Sequence, residues 1–409
     1  MFSENSYHHS QKLILGVSVQ VFIMGLVSFF TDVSSEMIQS IFPQFILSIG
    51  GTALIIGLIS GVTIAISNIL KGVSGWLSDR INRRKPFMVA GYTLSNLSKP
   101  FIGWSRSWEV VLGLKTIDRF GKGLRTSSRD TLISYYAVEK GKTFGLHRAM
   151  DTLGAVVGSI LAFIFLYLTW TYSNIILFSI IPGGIAIILI LTIKDVDPNQ
   201  FDKKLGFKPE KNKSEKIDKN FIKLILILGV IEFASLDIAF LQIRAISFIP
   251  TQFLIPILYL VSNVIYAVFS PITGKLSDKI GRKPIIIIGL LLLLASCIVL
   301  AFPIEISLFS LALIFIIFII YGYYLASVDP ISRAYIADLT GKKKRGRAYG
   351  YYYLSVGLIS LAESLIFGLI YDFFSFTWAF IYTSVLLFIC IIIFTLTDFS
   401  KIIKKEKSL

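Results

Sequence analysis

Asp32 and Glu36 stand four residues apart in an apolar stretch, one helical turn from each other on one face, and Ser35 and Gln39 continue that face. An acid in such a place has two uses. Facing Arg119 or Lys122, it exchanges a proton as its surroundings change, or it stays ionised in a permanent salt bridge. The cations belong to a second stretch, where Lys115, Asp118, Lys122, Arg125 and Arg129 recur at intervals of three and four with Arg119 beside them. That spacing draws a stripe along one side of a helix. Asp32, Glu36, Asp118 and, farther along, Asp237 are the candidate proton carriers. Lys115, Arg119, Lys122, Arg125, Glu232, Arg244, Tyr321 and Tyr324 are the candidates for contact with a solute. Lys71, Lys99, Arg148, Asp151, Asp329 and Glu363 are further charges inside apolar stretches.

Other chemistries find little support. Cys297 and Cys390 both sit in apolar runs, the three histidines lack companion ligands at metal spacing, and no phosphate-binding glycine loop or Ser/His/Asp set occurs. Neither an enzyme, a bound metal nor a cofactor is expected, and ATP-driven work is disfavoured. Tyr321, Tyr323 and Tyr324, with Tyr351 to Tyr353, suit either an aromatic pocket for lipophilic amines or the water interface of a membrane.

The elements that hold these residues follow from composition. The chain has 409 residues, 55% of them hydrophobic and only 16% charged, with a mean hydropathy of +0.75. A membrane-crossing helix needs roughly 20 mostly apolar residues, so about eleven or twelve crossings are available. A soluble domain, a disordered chain and a coiled coil are excluded. The net charge of +15 lies mostly between the apolar runs, which argues against a nucleic-acid partner.

Apolar runs predict spans near 13–47, 52–78, 86–105, 108–137, 144–168 and 174–193, then 221–248, 252–277, 285–302, 308–337, 347–371 and 378–398. The fold class expected is an all-α integral membrane protein of twelve transmembrane helices in two six-helix bundles. The bundles are residues 1–193 and 221–409, joined by a charged, proline-containing linker at 194–220. The first span is read as a helix from Leu13, not as a removed signal. Arg80, Arg83, Arg84, Lys85, Lys140, Lys142, the linker lysines, Lys279, Arg282, Lys283 and Lys342 to Arg345 fall in one set of connections, whereas the other set holds Arg106, Glu305 and Asp372. Basic connections face the cytoplasm, so both termini are expected there, in a multi-pass protein of the plasma membrane.

A repeat marks equivalent points in the two halves. Gly75-Trp-Leu-Ser-Asp79-Arg80-Ile-Asn-Arg83-Arg84 closes the second span and Gly274-Lys-Leu-Ser-Asp278-Lys279-Ile-Gly-Arg282-Lys283 the eighth. Two parallel sextets with a site between them fit this pattern. The doubled motif resembles that of the major facilitator superfamily of secondary transporters, with Asn82 in place of the usual glycine. Asp32-Val-Ser-Ser-Glu36-Met and the run from Asp118 to Asp130 resemble a group of prokaryotic permeases. Gly154-Ala-Val-Val-Gly158 is similar to part of a glycine motif of exporters, with Ser159 where proline is usual, and also suits plain close packing of helices.

The resemblance implies alternating access, a small-molecule solute, a coupling ion for which the proton is the expectation, a lipid bilayer as surroundings and a monomeric state. It also implies that Gly75, Asp79, Arg80, Arg83 and Arg84, with Gly274, Asp278, Lys279 and Arg282, form a cytoplasmic gate. Arg129 and Arg333 are the expected partners of Asp79 and Asp278, since a carboxylate at a helix C-terminus seeks a cation. Efflux of small organic, drug-like solutes is the leading expectation. A carrier of organic or inorganic anions is the alternative, and a non-transporting receptor or assembly partner the reading from another class.

Overall fold

The computed structural model describes residues 13–14, 17–81, 83–137, 140–195, 219–339 and 345–397. Asn82, the middle of the linker, the lysines at 342–344 and both tails, which carry part of the orientation reading, lie outside the described residues. The helices are α1 (Val19–Gln39), α2 (Phe42–Ser48), α3 (Ala53–Ile81), α4 (Lys85–Trp104), α5 (Trp108–Tyr136), α6 (Lys140–Tyr167), α7 (Tyr172–Phe178) and α8 (Ile180–Leu191). They continue as α9 (Lys219–Phe233), α10 (Ile238–Ala245), α11 (Ile255–Ile280), α12 (Arg282–Leu300), α13 (Leu308–Leu339), α14 (Arg345–Phe373) and α15 (Phe376–Leu396).

Among the described residues, ten segments are long and apolar enough to cross a membrane. α4 and α5, of 20 and 29 residues, are not among them. Their length suffices, but α5 carries the charged stripe and α4 a run of serine, asparagine and lysine. Exposed Leu308, Phe309, Ile188 and Leu396 face outward, and Trp104, Phe373 and Trp378 are exposed at or near helix ends. Such a surface is stable against hydrocarbon, with aromatic rings at its edges.

Three expected spans are each built from two helices. The first breaks between Gln39 and Phe42, where Pro43 in the first turn of α2 has no N–H to continue the α1 ladder. It also starts later than expected. Leu13–Ile14 pairs antiparallel with Val17–Ser18, and Ser18 caps α1 by accepting a hydrogen bond from the Val21 N–H. The sixth breaks at Ser179, three residues before Pro182. The seventh breaks over Ala234–Asp237, where the Asp237 carboxylate accepts from the Ala239 N–H at 2.7 Å and starts α10.

The chain forms two compact units. Unit 1 holds α1, α3 from Ile66 onward and α4 to α8; unit 2 holds α2, α3 up to Ala65 and α9 to α15. The expected halves differ from this at Phe42–Ala65, which packs with the later helices. Glycines explain that packing: a Cβ at Gly61 would lie 2.7 Å from Leu361 Cα, one at Gly368 2.7 Å from Leu54 Cα, and Gly57 faces the Ser364 carbonyl. Asp372 completes it by accepting from the Ala53 and Leu54 N–H groups at 3.1 and 2.8 Å, a cap for the first turn of α3.

Within the units the same helix pairs recur. In unit 1, α1 lies along α6, α4 along α5, and α4 against α7 and α8; in unit 2, α9 lies along α14, α12 along α13, and α12 against α15. First with fifth, third with fourth and third with sixth is thus a repeated plan. A shared contact marks it: Lys85 Nζ donates to the Leu191 carbonyl at 2.8 Å, and Lys283 Nζ to those of Thr395 and Thr397 at 2.6 and 2.9 Å. Each lysine neutralises the negative end of a helix. Gly154 and Gly158 press α6 onto α1, against the Phe29 and Val33 carbonyls. Gly91 and Gly121 face one another across α4 and α5, each 2.6 Å from the other's carbonyl if given a Cβ.

Candidate functional site

Unit 1 gathers the charged residues of three helices. The polar face of α1 is as expected, with Asp32, Ser35, Glu36 and Gln39 all half-buried. Gln39 joins it to α5, its Oε1 accepting from Lys115 Nζ at 3.1 Å and Arg119 Nη2 at 3.4 Å. Two cations therefore share one neutral acceptor. Asp118 is buried, accepts a hydrogen bond from the Ser95 hydroxyl at 2.6 Å and lies 3.7 Å from Arg119 Nε. Its oxygens are engaged on two sides.

The stripe on α5 divides by depth. Arg129 lies beside Asp130, with Nη2 2.9 Å from Oδ1, and donates to the Ser28 hydroxyl at 3.1 Å. Arg125 is buried, its guanidinium 4.3 Å from the centre of the Tyr92 ring, and its Nη1 has no hydrogen-bond partner. Lys122 is half-buried, and no acceptor for its Nζ occurs among the described residues. Asp32 feels the charges of Lys122, Arg125, Arg129 and Asp151, yet no hydrogen bond or close ion pair joins it to any of them. Glu36 lies within electrostatic reach of Lys115 and Lys122.

Lys99 belongs to the same set, although its position on α4 gave no pattern that tied it to the stripe. It is 2% exposed and donates to Asn96 Oδ1 at 3.0 Å and to the Thr31 carbonyl at 3.4 Å. Asp118 and Asp32 are its acidic neighbours. A buried lysine among apolar residues was the available signal. His147 and Asp151 add a pair at 3.7 Å, both buried.

Unit 2 is arranged differently. Glu232, half-buried on α9, accepts a hydrogen bond from the Ser360 hydroxyl at 2.6 Å. Glu363, on α14 one turn from Ser360, is 4% exposed; its Oε2 accepts from Ser364 at 2.9 Å, and its Oε1 has no partner. The charged groups around Glu232 are Asp329 and Asp237, and those around Glu363 are Asp237 and Glu232. All of these neighbours are acids. Tyr321 and Tyr324 are buried on α13, 5.8 Å apart between ring centres, and Tyr321 donates to the Leu236 carbonyl at 2.9 Å.

Two candidate residues of unit 2 have structural partners here. Asp237 caps α10, and the broken helix gives its carboxylate a structural partner that periodicity did not foresee. Arg244, expected to meet a solute, is buried and clamps the end of α12. Its Nε donates to the Leu300 carbonyl at 2.9 Å, its Nη2 to that of Phe302 at 2.6 Å and its Nη1 to Ser247, between the rings of Phe248 and Phe376. Those carbonyls are orphaned by the end of α12, so they outbid open solvent for the guanidinium.

The gate pairing is also revised. Asp278 meets Arg282 of its own motif, with Oδ1 2.6 Å from Nη1, and Arg282 Nε reaches Asp338 on α13 at 3.1 Å. Arg333 pairs instead with Asp329 at 2.5 Å, which also accepts from Tyr266. Gly281, at φ +97°, supplies the turn that carries Arg282 back over Asp278. Lys279 is exposed in the last turn of α11, and a Cβ on Gly274 would meet open space. In the first copy the side chains of Gly75, Asp79 and Arg80 lie outside the described residues, so the expected Asp79–Arg129 pair does too. Arg83 is exposed, and Arg84 is buried, its N–H donating to Asp195 at 3.3 Å.

Among the described residues no group of three or more His, Cys, Asp or Glu is placed to hold a metal ion. Cys297 and Cys390 are buried and free.

The model of the Major Facilitator Superfamily matches residues 24–260 and 224–407. The chain belongs to that family. Members move small solutes across membranes and are transporters, not enzymes. An uncharacterized MFS-type transporter of Methanocaldococcus jannaschii is 38% identical over 378 residues, 90% of this chain and 92% of that protein. Among solved structures, a variant of the nucleoside transporter NupG superposes with a TM-score of 0.78 at 13% identity, covering 92% of this chain and 99% of that one. A POT family transporter in complex with 5-aminolevulinic acid gives 0.77 at 13% identity, over 96% and 98%. At such identities the likeness to the solved structures is one of fold.

Proposed function

We propose that this facilitator is a secondary active transporter, proton-coupled and working by alternating access, whose solute is an organic or inorganic anion. The observation that carries the reading is the surplus of donors in unit 1. Arg125 has a buried Nη1 without a partner, and Lys122 Nζ meets no acceptor among the described residues. A buried donor such as Arg125 Nη1 has lost the hydrogen bond that water gave it, and an acceptor-rich anion restores that bond. The nucleoside transporter and the complex with 5-aminolevulinic acid differ in cargo, so the fold leaves the choice of solute to such residues.

Efflux of lipophilic, drug-like cations is the second reading. Asp32, which makes no close ion pair among the described residues, favours it, while Tyr321 is already occupied by the Leu236 carbonyl. We read α4 and α5 as spans despite their polarity, because their charges are turned to other helices, which completes twelve spans in the halves 1–193 and 221–409. The basic connections support a plasma-membrane protein with both termini in the cytoplasm, and a monomeric state is typical of the family.

Thermal melts of the detergent-purified protein with inorganic phosphate, succinate or a nucleoside monophosphate, against tetraphenylphosphonium, separate the readings. A ligand at 100 times its Kd adds about 2.7 kcal/mol. Stabilisation by an anion that Arg125→Gln abolishes is the expected result. Stabilisation by tetraphenylphosphonium alone, lost in Asp32→Asn, refutes the anion reading and establishes the other.

A further inference from the structure

Glu363 is the buried acid for which the anion reading has no use. It sits on α14 at 4% exposure with Oε1 unpartnered, and the charged groups near it are acids. α9 presents Glu232, the loop before α10 Asp237, α13 Tyr321 and Tyr324, α12 Cys297 and α15 Tyr382. None of these is a cation. Ser360, Glu363 and Ser364 lie at i, i+3 and i+4, one face of α14, and Ser360 hands its hydroxyl to Glu232. The buried acid is thereby one helical turn from the serine that is bonded to the half-buried Glu232.

We propose that Glu363 is the proton-binding group of unit 2, with Glu232 as the intermediary that connects it to water. The step is a proton transfer alone: an O–H bond forms on Oε1 with a proton from solvent, and the same bond breaks when the proton leaves. Burial without a counter-cation makes the protonated carboxyl the charge-balanced occupant. Ser364 holds the other oxygen, which leaves Oε1 as the atom that gains and loses hydrogen.

This inference rests on the reading of the chain as an ion-driven carrier, yet its test needs no solute. Infrared difference spectra of the full-length protein in lipid, taken across a pH jump, report the C=O stretch of each carboxyl that titrates. A band lost in Glu363→Gln, kept at a new position in Glu363→Asp and shifted in Ser364→Ala is the expected outcome. Should Glu363→Gln fail to fold, the Ser364→Ala shift decides the matter by itself. A difference spectrum in which neither Glu363→Asp nor Ser364→Ala moves a band overturns the proposal. So does loss of the band when sodium chloride replaces choline chloride at constant pH, since the site then takes a metal cation. Failure here removes Glu363 and leaves the anion melts standing; failure of the melts removes the anion and leaves the band.

Discussion

In unit 1 the acids lie among cations: buried Asp118 beside Arg119 and Ser95, half-buried Asp130 beside Arg129, and half-buried Asp32 amid three basic groups. In unit 2 the acids Glu232 and Glu363 lie among serines, tyrosines and one another, while Arg244 and Arg282 are taken up by backbone carbonyls and by acids elsewhere. The helix pairing is the same in both, so the difference belongs to the side chains. Two copies of one scaffold have diverged into a region rich in hydrogen-bond donors and a region that stores acid without counter-charge.

The strongest way to break this comparison is to remove an acid from each unit. Asp118→Ala leaves Lys99, Lys115 and Arg119 without their nearest carboxylate, and breaking a buried pair from one side costs about 3–5 kcal/mol. We expect little folded protein in size-exclusion chromatography, whereas Glu363→Gln, which orphans no cation, elutes and melts like the parent. Equal damage from the two substitutions would end the distinction.

Glycine substitutions test the scaffold beneath it. Gly158→Ala drives a Cβ to 2.5 Å from the Val33 carbonyl oxygen, and overpacking of that kind costs about 1–3 kcal/mol. Gly274→Ala meets open space inside a helix and gains about 0.5–1 kcal/mol. Thermal melts of the two variants should move in opposite directions. The smallest effect is expected at Asp278, 62% exposed on the side chain and one turn from Arg282. Asp278→Asn changes stability by about 0.3–0.5 kcal/mol, an amount that added salt erases, because Arg282 retains Asp338 and Ser277.

Legibility in the sequence followed the range of the interaction involved. The α5 stripe was readable because Lys115, Asp118, Lys122, Arg125 and Arg129 are neighbours through one helix, and the polar face of α1 for the same reason. Lys99 and Glu363 were visible as charges in apolar stretches, but what they touch comes from helices distant in the chain. Arg244 and Asp237 show the cost of reading a span as one straight helix: the breaks at Gln39–Phe42 and Ala234–Asp237 create helix ends, and helix ends compete for charged side chains. The Asp278 pairing failed on a shorter scale, through the backbone turn at Gly281.

Apolar length, the doubled motif and the basic connections determined that this chain is a membrane-spanning facilitator built from a repeat. Those features depend on local periodicity and on transfer from water to hydrocarbon, both of which are properties of segments. Which acid meets a cation and which stays alone was decided only by packing. An uncompensated charge is defined by everything within a few ångströms of it, and those neighbours come from four or five different helices.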